Sequence, residues 1–129
     1  MLRDNDALAT IAVKDIKASR KFYEETLGLT ASGSGDGGVI RFTSGSSKIL
    51  VYQSQFAGTN QATAATWVVD DVDGVVRDLK ARGVTFEHYD LPSMTREGDI
   101  HVFGSIRNAW FKDPDGNILS IANGGEMPA

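Results

Sequence analysis

The sequence predicts an α+β fold made of two tandem copies of one βαβββ module. Its 129 residues, 41% hydrophobic and 23% charged, suit one globular domain with a core of its own. Residues 9–16 have the composition of a β-branched strand followed by an aspartate, and residues 65–72 repeat that pattern 56 positions later. Residues 45–52 and 115–121 form a second pair of matching strand-like segments. The internal repeat therefore indicates two similar modules.

Each module begins with the same series of local signals. After the first strand, Asp15 and Asp71 stand at positions typical of helix N-caps. Apolar residues then recur at helical spacing in both copies, and Gly28 and Gly83 follow as helix stops. We expect a single domain over residues 1–129, with a first module at 7–53 and a second module at 63–123.

The second module contains an insertion. The later strands are offset by about 69 positions rather than 56, so about a dozen residues have been added between them. The natural place is the stretch 89–104, which is rich in proline, glycine, serine and charge and is expected to be an irregular loop. An added loop on a repeated scaffold is a common location for function.

Composition excludes several classes of protein. The net charge of −4 and the absence of a basic run argue against a nucleic-acid partner. The chain has no cysteine, which excludes disulfides, thiolate nucleophiles and cysteine-ligated zinc and fits a reducing cytoplasm. No apolar run approaches the roughly 20 residues that cross a bilayer, and no targeting segment is apparent. A cytoplasmic protein without a membrane partner is expected.

Two motifs carry a family resemblance. They are ASRKFY at 18–23 followed by LGL at 27–29, and WFKDPDGN at 110–117, which contains a tight hairpin turn. With these motifs the chain resembles the vicinal oxygen chelate superfamily, which includes glyoxalase I, extradiol dioxygenases and bleomycin-type resistance proteins. The resemblance covers about residues 7–122. It implies that the modules curve into a cup-shaped mixed sheet with helices outside, and that two chains form a homodimer.

The resemblance also implies where a metal ion would be bound. Metal-dependent members use a His or Glu at four positions inside the cup, one on the first and one on the last strand of each module. In this sequence those positions are Leu8, Val51, Ala64 and Ser120. Three are aliphatic and the fourth is a poor neutral ligand, so we expect no metal site and no cofactor.

Strand alternation predicts which side chains line the cup. Trp110 should face the cup and offer a stacking surface, because Phe111 beside it should pack beneath a helix. On the fourth strand, alternation is expected to turn Ile49, Val51 and Gln53 inward. The candidate ligand-binding residues are Trp110, Ser120, Thr10, Thr66, Arg41, Gln53 and His101.

Three functions stay open at this point. The first is a metal-free protein that binds a small aromatic or amphipathic molecule in the cup or at a dimer interface. The second is a lyase-like or dioxygenase-like enzyme with a non-standard site near His101 and the 89–104 loop. The third is a dimerising domain without small-molecule chemistry. The sequence names no catalytic residue and leaves open whether any reaction is catalysed.

Overall fold

Ten strands and two α-helices occupy the described part of the computed structural model, which covers residues 1–35 and 37–124. The first module contains β1 Ala9–Val13, α1 Ile16–Lys21, β2 Thr30–Ser32, β3 Val39–Ser44 and β4 Ser47–Gln53. The second contains β5 Thr63–Val68, α2 Val72–Ala81, β6 Phe86–Glu87, β7 Thr95–Glu97, β8 Ile100–Phe103, β9 Ile106–Lys112 and β10 Ile118–Ala122. Each module follows the βαβββ order, and the second has one additional pair of strands. No helix among these residues is long and apolar enough to cross a membrane.

Both helices begin at the predicted aspartates. The carboxylate of Asp15 accepts hydrogen bonds from the backbone nitrogens of Lys17 and Ala18 at 2.9 and 3.4 Å. The carboxylate of Asp71 accepts one from the backbone nitrogen of Gly74 at 3.0 Å. These bonds satisfy amide groups that have no partner within the helix.

The helices end differently. After α2, Gly83 has a φ of +96°, and the N–H groups of Gly83 and Val84 bond back to carbonyls of the last turn. Helix α1 continues instead as a π-helical turn over Phe22–Thr26 before Gly28, whose φ is +77°. Glycine adopts this left-handed conformation without steric cost, which explains both positions.

The strands form two mixed sheets. The first has the order β1-β4-β3-β2. The second has the order β5-β10-β9-β8-β7, and β6 pairs with β9 beside β8. In each sheet the first strand of the module runs parallel to the last, and the other pairs are antiparallel. The repeat in sequence is therefore also a repeat in topology.

In the first sheet, one face packs against α1 and the other is free of helices. Ile11, Val51 and Ile40 lie side by side on β1, β4 and β3 and are buried in the core. We call the opposite, helix-free side of both sheets the concave face. In the first sheet its central row is Thr10, Leu50 and Arg41.

The second sheet repeats this division. Trp67, Ile121 and Ala109 lie side by side on the face that belongs to the core. Phe111 is fully buried on that face, whereas its neighbour Trp110 is half-buried on the concave face, as alternation predicts. The equivalent row of the concave face is Thr66, Ser120 and Trp110.

The predicted orientation of β4 is wrong by one residue. Val51 pairs with Ile11 and lies in the core, so Leu50 is the residue that faces the cup beside Thr10. Ile49 is buried with Val51, and Gln53 follows the same alternation on β4. Aligning the two modules by sequence makes Val51 the counterpart of Ser120. The strand register shows that the counterpart of Ser120 is Leu50, because Leu50 pairs with Thr10 as Ser120 pairs with Thr66.

The segment 89–104 was expected to be an irregular loop, and this is wrong for much of its length. It contains β7 and β8, which pair as an antiparallel hairpin and extend the second sheet beyond β9. Ile100 and Val102 alternate with His101 and Phe103, a short strand signal that the surrounding glycine and charge concealed.

The turn between β9 and β10 joins the second module to the first. Buried Asp113 accepts hydrogen bonds through Oδ2 from Tyr23 Oη at 2.9 Å and from Asn117 Nδ2 at 2.8 Å. Asn117 Nδ2 also donates to the carbonyl of Ala12 at 2.7 Å, on β1. Burial, followed by the nearby charge of Asp113, raises the pKa of the Tyr23 phenol far above its usual value. This buried polar network fixes the two modules in one arrangement.

Candidate functional site

Two rows of side chains cross the concave face of the second sheet. In one row Arg96, His101 and Asn108 lie directly opposite one another on β7, β8 and β9. Directly opposed residues have Cβ atoms about 5 Å apart. Asn108 and Trp110 are two positions apart on β9, so the second row adjoins the first. That row consists of Glu87, Trp110, Ser120 and Thr66.

Three aromatic rings meet where these rows adjoin. The rings of His101 and Trp110 have centroids 4.8 Å apart and an interplanar angle of 79°, an edge-to-face contact. Tyr89 makes a similar contact with Trp110 at 5.4 Å, and its ring lies 6.0 Å from that of His101. The indole Nε1 of Trp110 donates to Thr63 Oγ1 at 3.2 Å, which fixes the ring over the sheet. We call these three residues the aromatic cluster.

Two buried polar atoms of this cluster lack a hydrogen-bond partner in the described part of the chain. Tyr89 N–H donates to Nε2 of His101 at 2.9 Å, so that nitrogen is an acceptor and the ring proton of the neutral imidazole is on Nδ1. Among the described residues, neither His101 Nδ1 nor Tyr89 Oη has a hydrogen-bond partner, although both atoms are buried. Burial, followed by the Glu87 carboxylate, raises the pKa of Tyr89, so its phenol stays protonated. A buried donor without a partner costs about 1–3 kcal/mol.

The second row supplies a further polar pair. Ser120 is 1% exposed and donates from Oγ to Asn108 Oδ1 at 2.9 Å. In this bond Oδ1 of Asn108 is the acceptor, and its Nδ2 donates to none of the described residues. Thr66 lies next to Ser120 on β5 and is exposed. Ser120, Thr66, Trp110 and His101, all predicted from the sequence, therefore share one surface.

The first module contributes less to this surface. Thr10 and Arg41 are both exposed on its concave face, with Leu50 between them. A cavity of about 130 Å³ lies where the modules meet, and Thr10 is among its lining residues. The others are Ile11, Ala12, Tyr52, Phe56, Gly58, Asn60, Ala62, Ala64 and Asn117. Gln53 is exposed at the end of β4, in phase with the core residues and not with Thr10.

Sequence reasoning missed Tyr89, Asn108 and Arg96. Asn108 stands two positions before Trp110, so alternation along β9 could have found it. Arg96 could not be placed, because its position depends on the hairpin register that pairs it with His101. Tyr89 lies in a segment without regular structure, where no periodicity indicates a direction.

Ion pairs hold the added hairpin against α2. Asp99 binds Lys80 through one carboxylate oxygen and His88 through the other, each at 2.7 Å. The hydrogen bond from Lys80, followed by that from His88, lowers the pKa of Asp99. At the same turn, Arg107 of β9 bonds Glu97 at 2.6 Å, so the turn end of the hairpin is held both by α2 and by the neighbouring strand.

The geometry agrees with comparisons to known proteins. Residues 7–121 match the Glyoxalase/Bleomycin resistance protein/Dioxygenase superfamily. The chain belongs to this superfamily. Among solved structures it is similar to a protein from the mobile metagenome of V. pseudocholerae, with 25% identity, a TM-score of 0.61 and coverage of 91% of this chain and 92% of that one. A lactoylglutathione lyase from Agrobacterium tumefaciens shares 18% identity, with a TM-score of 0.69 and 93% of each chain covered. A fosfomycin resistance protein from Mesorhizobium loti shares 13% identity, with a TM-score of 0.66 and coverage of 95% and 93%.

The metal-ligand positions of this superfamily do not fit a metal ion here. With the register corrected, they are Leu8, Leu50, Ala64 and Ser120. Three of these side chains are hydrocarbons, and the hydroxyl of Ser120 already donates to Asn108. Divalent metals need several carboxylate, imidazole or thiolate donors, which these positions do not supply. Elsewhere in the described chain no group of three or more such residues could hold a metal ion.

Proposed function

We propose that this superfamily member binds a small aromatic or amphipathic molecule on the concave face of its second module, without a metal ion. The observation that supports the proposal most is the position of Trp110 beside Tyr89 and His101. Three rings on a helix-free sheet face offer stacking and edge contacts to a planar ligand. Thr66 adds an exposed hydroxyl group on the same face, and the hydroxyl of Ser120 beside it holds Asn108 in place.

The proposed binding requires no metal. The side chains at the four metal-ligand positions are unsuited to coordinating a metal ion. A site for a small molecule needs instead an apolar surface with a few polar groups. Thr10 and Arg41 are the proposed contacts from the first module, whereas Gln53, in phase with the core residues of β4, is not one of them. A ligand that spans the junction would contact both modules.

We further propose that the protein is a cytoplasmic homodimer. The absence of cysteine supports a reducing compartment. Large apolar side chains are exposed on or beside the concave faces, including Phe56 at 68% and Val68 at 70%. Covering them with a second chain would remove this surface from water and could complete the ligand site. Sedimentation equilibrium should give twice the chain mass, and a monomer at all concentrations would contradict this part of the proposal.

The test of binding is titration calorimetry with 2-naphthol, a neutral aromatic amphipathic probe. We expect saturable binding to the wild-type protein. Trp110→Ala should weaken it about tenfold to a few hundredfold, because both stacking and apolar contact are lost. Trp67→Phe is the matched control, since Trp67 lies on the core side and donates to Ser44 Oγ at 2.8 Å; it should change affinity less than about threefold.

Two results would contradict the proposal. One is the absence of saturable binding by 2-naphthol to the folded wild-type protein. The other is a loss of affinity in Trp67→Phe with none in Trp110→Ala, which would place the ligand on the other side of the sheet. Elemental analysis of the same preparation should find no stoichiometric zinc, nickel, iron or manganese, and one tightly held ion per chain would overturn the metal-free part.

A further inference from the structure

We infer that the ligand of this face is an aromatic carboxylate, with its ring against Trp110 and its carboxylate bound by His101 and Arg96. The inference rests on the proposed function, because it identifies the chemical class of ligand for the same site. Three features of the first row support it, each judged among the residues that the structure describes. They are an imidazole N–H without an acceptor, a guanidinium without an ion pair and an amide N–H₂ that donates to no side chain or carbonyl.

The imidazole of His101 is fixed as a hydrogen-bond donor. Its Nε2 accepts from the backbone N–H of Tyr89, so in the neutral ring Nδ1 carries the proton. That N–H is buried and has no acceptor among the described residues. A ligand group that fits must therefore accept a hydrogen bond, which excludes an ammonium group at this place. Tyr89 lies in a segment without regular structure, and its ring contacts those of His101 and Trp110. Binding of the ligand at Nδ1 requires this ring to move aside.

The charge beside His101 is positive. Arg96 lies directly opposite His101 on β7, with its side chain on the same face, and it is exposed. No carboxylate of the described chain pairs with it. A guanidinium next to a single N–H donor favours a carboxylate over a neutral carbonyl, because Arg binds carboxylates with strong charge-assisted hydrogen bonds.

The neighbouring groups agree with this choice. Asn108 follows His101 in the row and presents Nδ2, a donor, because its Oδ1 already accepts from Ser120. Glu87 is the acidic residue of the second row, and it pairs with Lys112 at 3.3 Å. Its carboxylate is thus already compensated and is a weak partner for a cationic ligand. Asn108 of the first row and Trp110 are two residues apart on β9, a separation of about 7 Å along the strand. This spacing suits a carboxylate attached directly to an aromatic ring.

The experiment compares two probes with the same ring and opposite charge, 2-naphthoate and 2-naphthylmethylammonium, by titration calorimetry at pH 7. The wild-type protein should bind 2-naphthoate at least tenfold more tightly. Arg96→Gln and His101→Phe should each reduce this ratio to less than about threefold, because both weaken binding of 2-naphthoate. Arg96→Gln also removes a repulsion from the ammonium probe. Arg77→Gln is the matched control: Arg77 is exposed on α2, so the same loss of charge there should preserve the ratio.

The outcomes separate the two proposals. Equal affinity for both probes in the wild-type protein, or a preference for 2-naphthoate that survives Arg96→Gln, would overturn the carboxylate inference while 2-naphthol binding stands. Failure of all three naphthyl probes would overturn the proposed function itself. Because His101 is buried, the fold of His101→Phe is checked first by circular dichroism. If that variant is unfolded, the test of the carboxylate inference rests on Arg96→Gln, since Arg96 is exposed.

Discussion

The concave faces of the two modules have equivalent positions in a repeated fold but different chemistry. In the first module, the central row has an aliphatic residue and an exposed cation, Leu50 and Arg41. In the second, the equivalent positions hold Ser120 and Trp110. The additional hairpin in the second module brings His101 beside them and makes burial of polar groups possible there. The repeat therefore keeps the core sides of the two modules alike, and the polar and aromatic groups of the proposed site are concentrated on the second module.

The largest expected effect tests whether the core sides of the modules are equivalent. Phe111 and Phe42 are both fully buried on the helix-facing sides of their sheets. Phe111→Ala and Phe42→Ala should each lower the free energy of unfolding by about 3–5 kcal/mol in urea titrations, because each leaves a cavity. Trp110→Ala should cost clearly less, since its side chain is half-buried. A loss as large for Trp110→Ala as for Phe111→Ala would show that Trp110 is core and not a binding residue.

The second prediction compares the two hairpin turns. Asp113→Ala removes the acceptor of buried Tyr23 Oη and Asn117 Nδ2. Tyr23 Oη is left unpaired, and Asn117 Nδ2 keeps only its bond to the carbonyl of Ala12, so the free energy of unfolding should fall by roughly 2–4 kcal/mol. In the first module, Ser47 bonds the carbonyl of Ser44 at 2.8 Å in an exposed turn, so Ser47→Ala should cost less than about 1 kcal/mol. If urea titration shows similar losses of stability for Asp113→Ala and Ser47→Ala, the two turns do not differ as proposed.

A third prediction concerns alkaline pH. The pKa of Tyr23 is raised by burial and by Asp113 relative to the unfolded value of 10.0. The folded state therefore holds the phenolic proton more tightly, and this stabilisation is complete below pH 10.0 and is lost as the pH rises above it. The wild-type protein should lose up to about 1.4 kcal/mol of stability per pH unit in this range. Tyr23→Phe should show a shallower decline between pH 10 and 11.5, and parallel curves would contradict the assignment.

The smallest effect concerns the anchor of the added hairpin. Lys80 and His88 lower the pKa of Asp99, so their stabilisation is present above the usual pKa of 3.8 and is lost as the pH falls below it. The side chain of Asp99 is 16% exposed and its partners are more so, which limits the contribution. Asp99→Asn should lower the free energy of unfolding by less than about 1 kcal/mol at pH 7 and have no effect at pH 2. A loss above 2 kcal/mol would mean that the hairpin belongs to the core.

The sequence predicts the fold well because its signals are local. Asp15 and Asp71 cap the helices by contacts within four residues, and the repeat fixes which strands correspond. The orientation of Val51 failed because a shift of one residue turns a strand side chain to the opposite face. Arg96 and Tyr89 could not be predicted, since their positions depend on pairing across the added hairpin and on a non-repetitive segment. The site is thus least predictable where the second module departs from the repeat.

The most direct test uses the two indole N–H groups of the chain, which belong to Trp67 and Trp110. In ¹H–¹⁵N correlation spectra each gives one signal, and Trp67→Phe assigns them. Trp67 lies on the core side and Trp110 on the concave face. Titration with 2-naphthol should shift the Trp110 signal and leave that of Trp67 in place. A shift of the Trp67 signal alone, or of neither signal at saturating probe, would contradict binding on the concave face of the second module.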